Sequence, residues 1–177
     1  MSLSAVASSL PSSVGGSNNN VLFWDGSQTV GNGSVDGGAG VWSVGGTNWT
    51  DANGALNQAW NGTFAVFQGT AGTVTVNGAQ TITGMQFVTD GYRLLNGVAG
   101  QLNLVNGNNG STTVRVDPGV TATLNVALGG SGQLNKVDSG TLVLGGSNSY
   151  SGGTTLGGGT LVVGNNLALG SGALSAA

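Results

Sequence analysis

From Thr73 onward the chain alternates. Val74 and Val76, Leu102 and Leu104, and Leu124 and Val126 are each separated by one polar or small residue. That spacing belongs to a strand with one face buried, and no stretch longer than a turn or two keeps a helical period. The runs end in Asn or Asp followed shortly by Gly, which supplies the positive φ of a tight turn. Aligning VTVNG (74–78), LLNG (94–97), VRVDPG (114–119) and NKVDSG (135–140) places the turn glycines at Gly78, Gly97, Gly119 and Gly140. Their spacing is about twenty residues, and the runs 81–87, 101–105 and 120–126 fill the interval, which predicts a β-solenoid. At roughly 4.8 Å per rung, the residues after Phe64 make about five rungs, a rod on the order of 25 Å long.

The same alignment puts Arg93, Arg115 and Lys136 at equivalent points, with Asp117 and Asp138 two residues after the last two cations. Side chains two apart on a strand share a face. The expectation is therefore an outward ladder of Arg93, Arg115, Asp117, Lys136 and Asp138, with Val114, Val116 and Val137 pointing inward.

Before Phe67 the texture is different. Trp24, Trp42, Trp49 and Trp60 all lie there, with Phe23, Phe64 and Phe67. The first rung of a solenoid has no neighbour on its outer side, so a structural cap of large rings over its edge is expected. An aromatic carbohydrate-binding platform is the functional alternative, and the general tendency of Trp to be buried favours the cap. The expected organisation is a flexible segment at 1–20 that includes an added start at 1–3, a Trp-rich N-terminal cap and first rungs at 21–67, and β-helix rungs at 68–177.

Composition narrows the function. Of 177 residues, 36 are Gly, a proportion that suggests disorder until one notes that Val, Ile, Leu and Thr runs separate the glycines. Three cations against six acids give a net charge of −3, with no basic cluster for nucleic acid or an anionic membrane surface. Cysteine is absent, so no disulfide or thiolate site can form. No apolar run approaches the roughly 20 residues of a membrane-spanning helix. His and Glu are missing too, which removes most acid–base, nucleophile and metal-ligand combinations. The six acids read as turn residues. Asp117 and Asp138, beside Arg115 and Lys136, suggest an ion-pair ladder rather than a catalytic pair. GNGSVDGGAG (31–40) resembles a calcium-binding nonapeptide repeat but occurs once, whereas such repeats bind in tandem. The Thr pairs 73/75, 81/83 and 121/123 suggest an ice-binding array, which Gln101 and Asn103 interrupt. Sequons at Asn32, Asn48, Asn61 and Asn109 are the number expected by chance in so Asn-rich a chain. No enzyme activity, cofactor or metal is expected.

Near the C-terminal end, GTL (140–142), SNSYSGGTT (147–155), GGTL (158–161) and ALGSGAL (168–174) occur in that order. Together they resemble the passenger-associated strand repeat of Gram-negative autotransporters, here at 132–174. The WDG, W, NW, W and AVF elements between Trp24 and Phe67 are similar to the opening of such passengers. The resemblance implies an all-β, right-handed parallel β-helix, secreted through the outer membrane and displayed at or released from the cell surface. It also implies a structural stalk or adhesin segment that aids passenger folding and secretion. Its partner would be a C-terminal outer-membrane β-barrel of the same precursor, absent here as is a signal peptide; a host or surface glycan or protein ligand is left unidentified. The alternatives are a polysaccharide-binding or polysaccharide-degrading β-helix protein and an ice-binding-like β-solenoid. SGALSAA (171–177) offers no cap, so exposed rung edges and self-association through that end are expected.

Overall fold

The structure, a computed structural model, describes residues 21–176. The segment 1–20, expected to be flexible, lies outside the described residues. Within them the chain forms strands and no helix. In order these are β1 (Val21–Trp24), β2 (Gly40–Trp42), β3 (Trp49–Thr50), β4 (Asn57–Gln58), β5 (Phe64–Phe67), β6 (Thr73–Val76), β7 (Ala79–Ile82), β8 (Gly84–Phe87) and β9 (Arg93–Asn96). They continue with β10 (Gln101–Leu104), β11 (Thr112–Val116), β12 (Thr121–Leu124), β13 (Leu128–Gly130), β14 (Leu134–Val137), β15 (Thr141–Leu144), β16 (Thr154–Leu156), β17 (Thr160–Val163) and β18 (Leu174–Ala176).

From β5 onward, successive strands do not pair with each other. Each pairs in parallel with its counterpart one coil away, so the chain winds through three sheets and makes a parallel β-solenoid of about five turns. A long sheet runs β18-β16-β14-β11-β8-β5-β1-β3-β4, a second runs β17-β15-β12-β9-β6-β2, and a short third is β13-β10-β7. Because equivalent positions stack, each inward column is continuous. Val74, Leu94, Leu124 and Leu144 lie one above another in the second sheet, all wholly buried. Burial of this kind contributes roughly 1.5–3 kcal/mol per large apolar side chain and is the main local term holding coil on coil.

Coil length is uneven. Phe64 stacks on Gly84, and Asn135 on Thr155, about twenty residues apart, whereas Gly84 stacks on Thr113 and Arg93 on Thr123, about thirty apart. The extra residues sit in the connections around β10, chiefly the exposed loop at 105–110. After β15 the short sheet has no further strand, yet the chain keeps its path: Ser149 and Tyr150 donate to Leu128 O, and Ser151 to Gly130 O. Tyr150 fills the interior there, its hydroxyl 2.6 Å from Thr154 Oγ1. The SNSYSGGTT motif thus replaces a strand with a hydrogen-bonded bend anchored by one ring.

At the other end the long sheet turns antiparallel. β3 pairs antiparallel with β1, and β4 antiparallel with β3, so the parallel ladder stops against a folded-back hairpin rather than an open edge.

Candidate functional site

Two places concentrate unusual side chains, and the first is the charged corner where β11 and β14 end. Strand register decides its form. Val114 pairs with Lys136 and Arg115 with Val137, one residue away from the expected alignment. A one-residue slip moves every side chain to the opposite face. Lys136 therefore enters the inward column between Val114 and Leu156 and is wholly buried, while Val137, expected inside, lies half-buried on the outer face.

The expected five-residue ladder is thus corrected. Arg93 lies in a different sheet, exposed on β9 between Thr73 and Thr123. Lys136 points inward. Asp117 is buried and accepts Gln86 Nε2 at 2.8 Å. Arg115 and Asp138 meet as an ion pair, Nε to Oδ2 at 2.8 Å, with both side chains roughly a quarter exposed. The one-residue slip accounts for Lys136, and the long coil for Arg93. Counting in steps of twenty across it aligned LLNG of the second sheet with VRVDPG of the long sheet, and so merged two faces into one.

Lys136 is compatible with the interior because its ammonium group meets a ready-made set of acceptors. Nζ donates to Val137 O at 2.9 Å, Asp138 O at 2.7 Å and Gly158 O at 3.0 Å. Asp138 adopts a left-handed φ of 64° at the same corner. Three donors matched to three carbonyls satisfy the ammonium's full hydrogen-bonding capacity. Burial still pushes its pKa below the ordinary lysine value, with the Asp138 carboxylate opposing that shift. The corner ties β14 to the next coil through Gly158, and its carboxylates are already occupied.

The second place is the aromatic end. Trp24, Trp42 and Trp49 are fully buried, and Trp60 packs against them partly exposed. Trp42 and Trp49 ring centroids are 4.7 Å apart, and Trp49 and Trp60 are 4.5 Å apart. Phe67 links the cluster to the coils by stacking on Phe87 at 4.9 Å with an interplanar angle of 10°. Trp24 Nε1 donates to Gly38 O, and Trp60 Nε1 to Thr81 O. These rings face one another and the core, leaving no open row of Trp faces of the kind a sugar platform needs.

A polar girdle that the sequence pattern does not announce surrounds this end. The Tyr92 hydroxyl lies 2.6 and 2.7 Å from Gln68 O and Thr70 O, which share its one proton, and it accepts Gly38 N. Burial pushes its pKa up to about 12; the Gly38 hydrogen bond opposes the rise and the Asp25 charge adds to it. Asp25, wholly buried, accepts Asp36 N at 2.7 Å and Asn57 Nδ2 at 2.9 Å. The GNGSVDGGAG segment is the loop being held: Gly37 bridges to Thr70, and Asn32 Nδ2 donates to Asp36. A lone Tyr in TDGYR and an Asp in WDG carry no pattern that would announce this convergence.

Among the described residues no group of three His, Cys, Asp or Glu side chains could hold a metal. The threonine pairs divide between faces, Thr73 and Thr75 on β6, Thr81 on β7, and Thr121 and Thr123 on β12, so they form no single array. Outward Thr121, Thr141 and Thr160 do align in the second sheet.

Residues 134–163 match the passenger-associated-transport-repeat family. Over 150 residues the chain is 45% identical to the adhesin BmaC autotransporter of Brucella suis biovar 1 (strain 1330), a match covering 75% of this chain and 4% of that protein. The chain therefore spans a small fraction of its relative's length. No solved structure matches it.

Proposed function

The chain belongs to the passengers of Gram-negative autotransporters, and from that premise we propose that it is a structural segment of a surface-displayed adhesin. Its coils form a stiff spacer, carried through the outer membrane with a C-terminal β-barrel of the same precursor, that holds adhesive parts away from the cell. The observation that carries this reading is the stacked solenoid itself: its specialised side chains, Lys136, Tyr92, Tyr150 and the Trp cluster, all turn inward or bind backbone. The lack of His, Cys and Glu supports a role without catalysis. Polysaccharide cleavage draws no support from the carboxylates, since Asp117 is bonded to Gln86 and Asp138 to Arg115.

The test is competition. Purified 21–176, added in excess, leaves host-cell attachment of bacteria displaying the whole precursor unchanged if the segment is a spacer. Dose-dependent blocking of attachment would make it the adhesive part and overturn the reading.

The last coil supports self-association of the isolated chain. The inward columns continue to Val163 and Leu174, yet these side chains are 47% and 53% exposed. A second copy seated on this face would cover them. Sedimentation equilibrium should show concentration-dependent dimers that Val163→Lys abolishes; a strictly monomeric mass for the unaltered chain across the concentration range would reject this.

A further inference from the structure

The chain is unusually rich in Asn–Gly sequences, at residues 32, 53, 61, 77, 96, 106 and 109. Asn–Gly is the pair in which the backbone most readily attacks its own side chain, because glycine adds no Cβ to block the approach. The glycine amide nitrogen, having given its proton to solvent base, forms a bond to the Asn Cγ. The Cγ–Nδ2 bond breaks, and ammonia leaves after taking a proton from water. Water then opens the succinimide at either carbonyl, giving aspartate or a β-linked isoaspartate without any redox change.

The structure treats these pairs unequally. Asn77 Oδ1 accepts Val98 N at 2.9 Å, and Gly78 N donates to Val98 O at 2.9 Å. Asn96 Oδ1 accepts Ala127 N at 2.7 Å, and Gly97 N donates to Val76 O at 2.8 Å. At both corners the electrophilic amide and the attacking nitrogen are tied to neighbouring coils. Bringing them together requires the coils to separate.

At Asn53 and Asn109 the attacking nitrogen is held only locally. Asn53 and Asn109 are exposed, and the amide nitrogens that follow them make only turn contacts, Gly54 N to Asp51 O at 3.1 Å and Gly110 N to Gly107 O at 2.9 Å; Gly54 is itself buried, and its carbonyl accepts Asn32 N and Gly33 N from the neighbouring loop. Asn109 Nδ2 does reach Thr113 Oγ1 at 2.7 Å, and its Oδ1 accepts Ser111 N at 3.3 Å, all within the 105–113 stretch. A loop of this kind opens at far lower free energy than a stacked strand end.

We infer that Asn53 and Asn109 are the sites of spontaneous deamidation in the folded chain, and that stacking shields Asn77 and Asn96. A β-linkage at either shielded corner lengthens the backbone, adds a negative charge, and misplaces the acceptor for Val98 N or Ala127 N. The chain would then have a limited lifetime unfolded, and stacking would end the exposure. This inference is independent of the spacer role.

The experiment incubates the purified chain at mildly alkaline pH, native and in urea, and maps the amide-to-acid mass gain by peptide mass spectrometry. In native buffer the gain should concentrate at Asn53 and Asn109, with Asn77 and Asn96 slowed about tenfold or more relative to urea. The double variant Asn53→Gln, Asn109→Gln should remove most of the native gain and leave the unfolding midpoint unchanged. Equal rates at Asn77 and Asn96 in native buffer and urea would overturn the inference, as would native rates at Asn53 and Asn109 no faster than at the corners.

Discussion

At the residue scale the defining side chain is Lys136. Replacing it with Met keeps the stem in its column but leaves the carbonyls of Val137, Asp138 and Gly158 without their shared donor. Unsatisfied buried acceptors carry the full desolvation penalty, so Lys136→Met should lower stability by about 3 kcal/mol. Arg115→Ala, which removes a partly exposed pair, should cost under about 1 kcal/mol. Urea denaturation checks both, and a Lys136→Met variant as stable as the parent would show that the carbonyls find other donors.

Tyr92 sets the alkaline limit. Its folded pKa, raised to about 12, exceeds the unfolded value near 10, so its stabilisation is complete below about pH 10 and is lost between about pH 10 and pH 12. Tyr150 shifts in the same direction. Lys136 works oppositely: with a folded pKa below the unfolded value of about 10.4, the native chain releases that proton first, and stability rises with pH until the unfolded lysine titrates. Urea midpoints across the alkaline range should therefore turn downward above about pH 10, by up to roughly 2–3 kcal/mol from Tyr92, and Tyr92→Phe should shallow that fall. An unchanged slope in the variant would contradict this. Neither Lys136 nor Tyr92 could be placed from sequence. A lysine in an alternating run reads as outward until its carbonyl acceptors are known, and one of the three comes from Gly158, a coil away.

At the scale of elements, turns and strands were legible because each is a local choice. The alternation in 73–76, 101–104 and 121–124 names β6, β10 and β12 directly. Which strand stacks on which was not legible, since that depends on coil length, and one coil of about thirty residues breaks the count. Close approach between coils makes a checkable distinction among the turn glycines. A Cβ on Gly140 would lie 2.4 Å from Asp117 O and 2.7 Å from Val116 O, whereas one on Gly119 meets nothing within 4 Å and faces only the strain of its φ of 77°. Gly140→Ala should therefore cost about 2 kcal/mol or more, by forcing adjacent backbones apart. Gly119→Asn, which tolerates left-handed φ, should cost under about 1 kcal/mol. Comparable losses in thermal unfolding would mean that conformation, not coil spacing, governs both positions.

For the whole molecule, stability is a sum of neighbour contacts along one axis, with the Trp cluster and its antiparallel hairpin closing one end. The solenoid class and the passenger resemblance were legible because the repeat motif is long and ordered. The charged face was not, because it existed only in a mistaken register. A molecule whose distinctive groups turn inward or bond within the fold is suited to holding position rather than binding through a pocket. The central claim is therefore that this segment acts by its stacked form. The direct measurement is host-cell attachment by bacteria whose precursor carries, in place of residues 21–176, either an unrelated β-solenoid of similar length or a flexible linker of equal residue number, at matched surface levels. Attachment should persist with the solenoid and fall with the linker. Loss of attachment with both replacements would contradict the account and place the adhesive determinant within this chain.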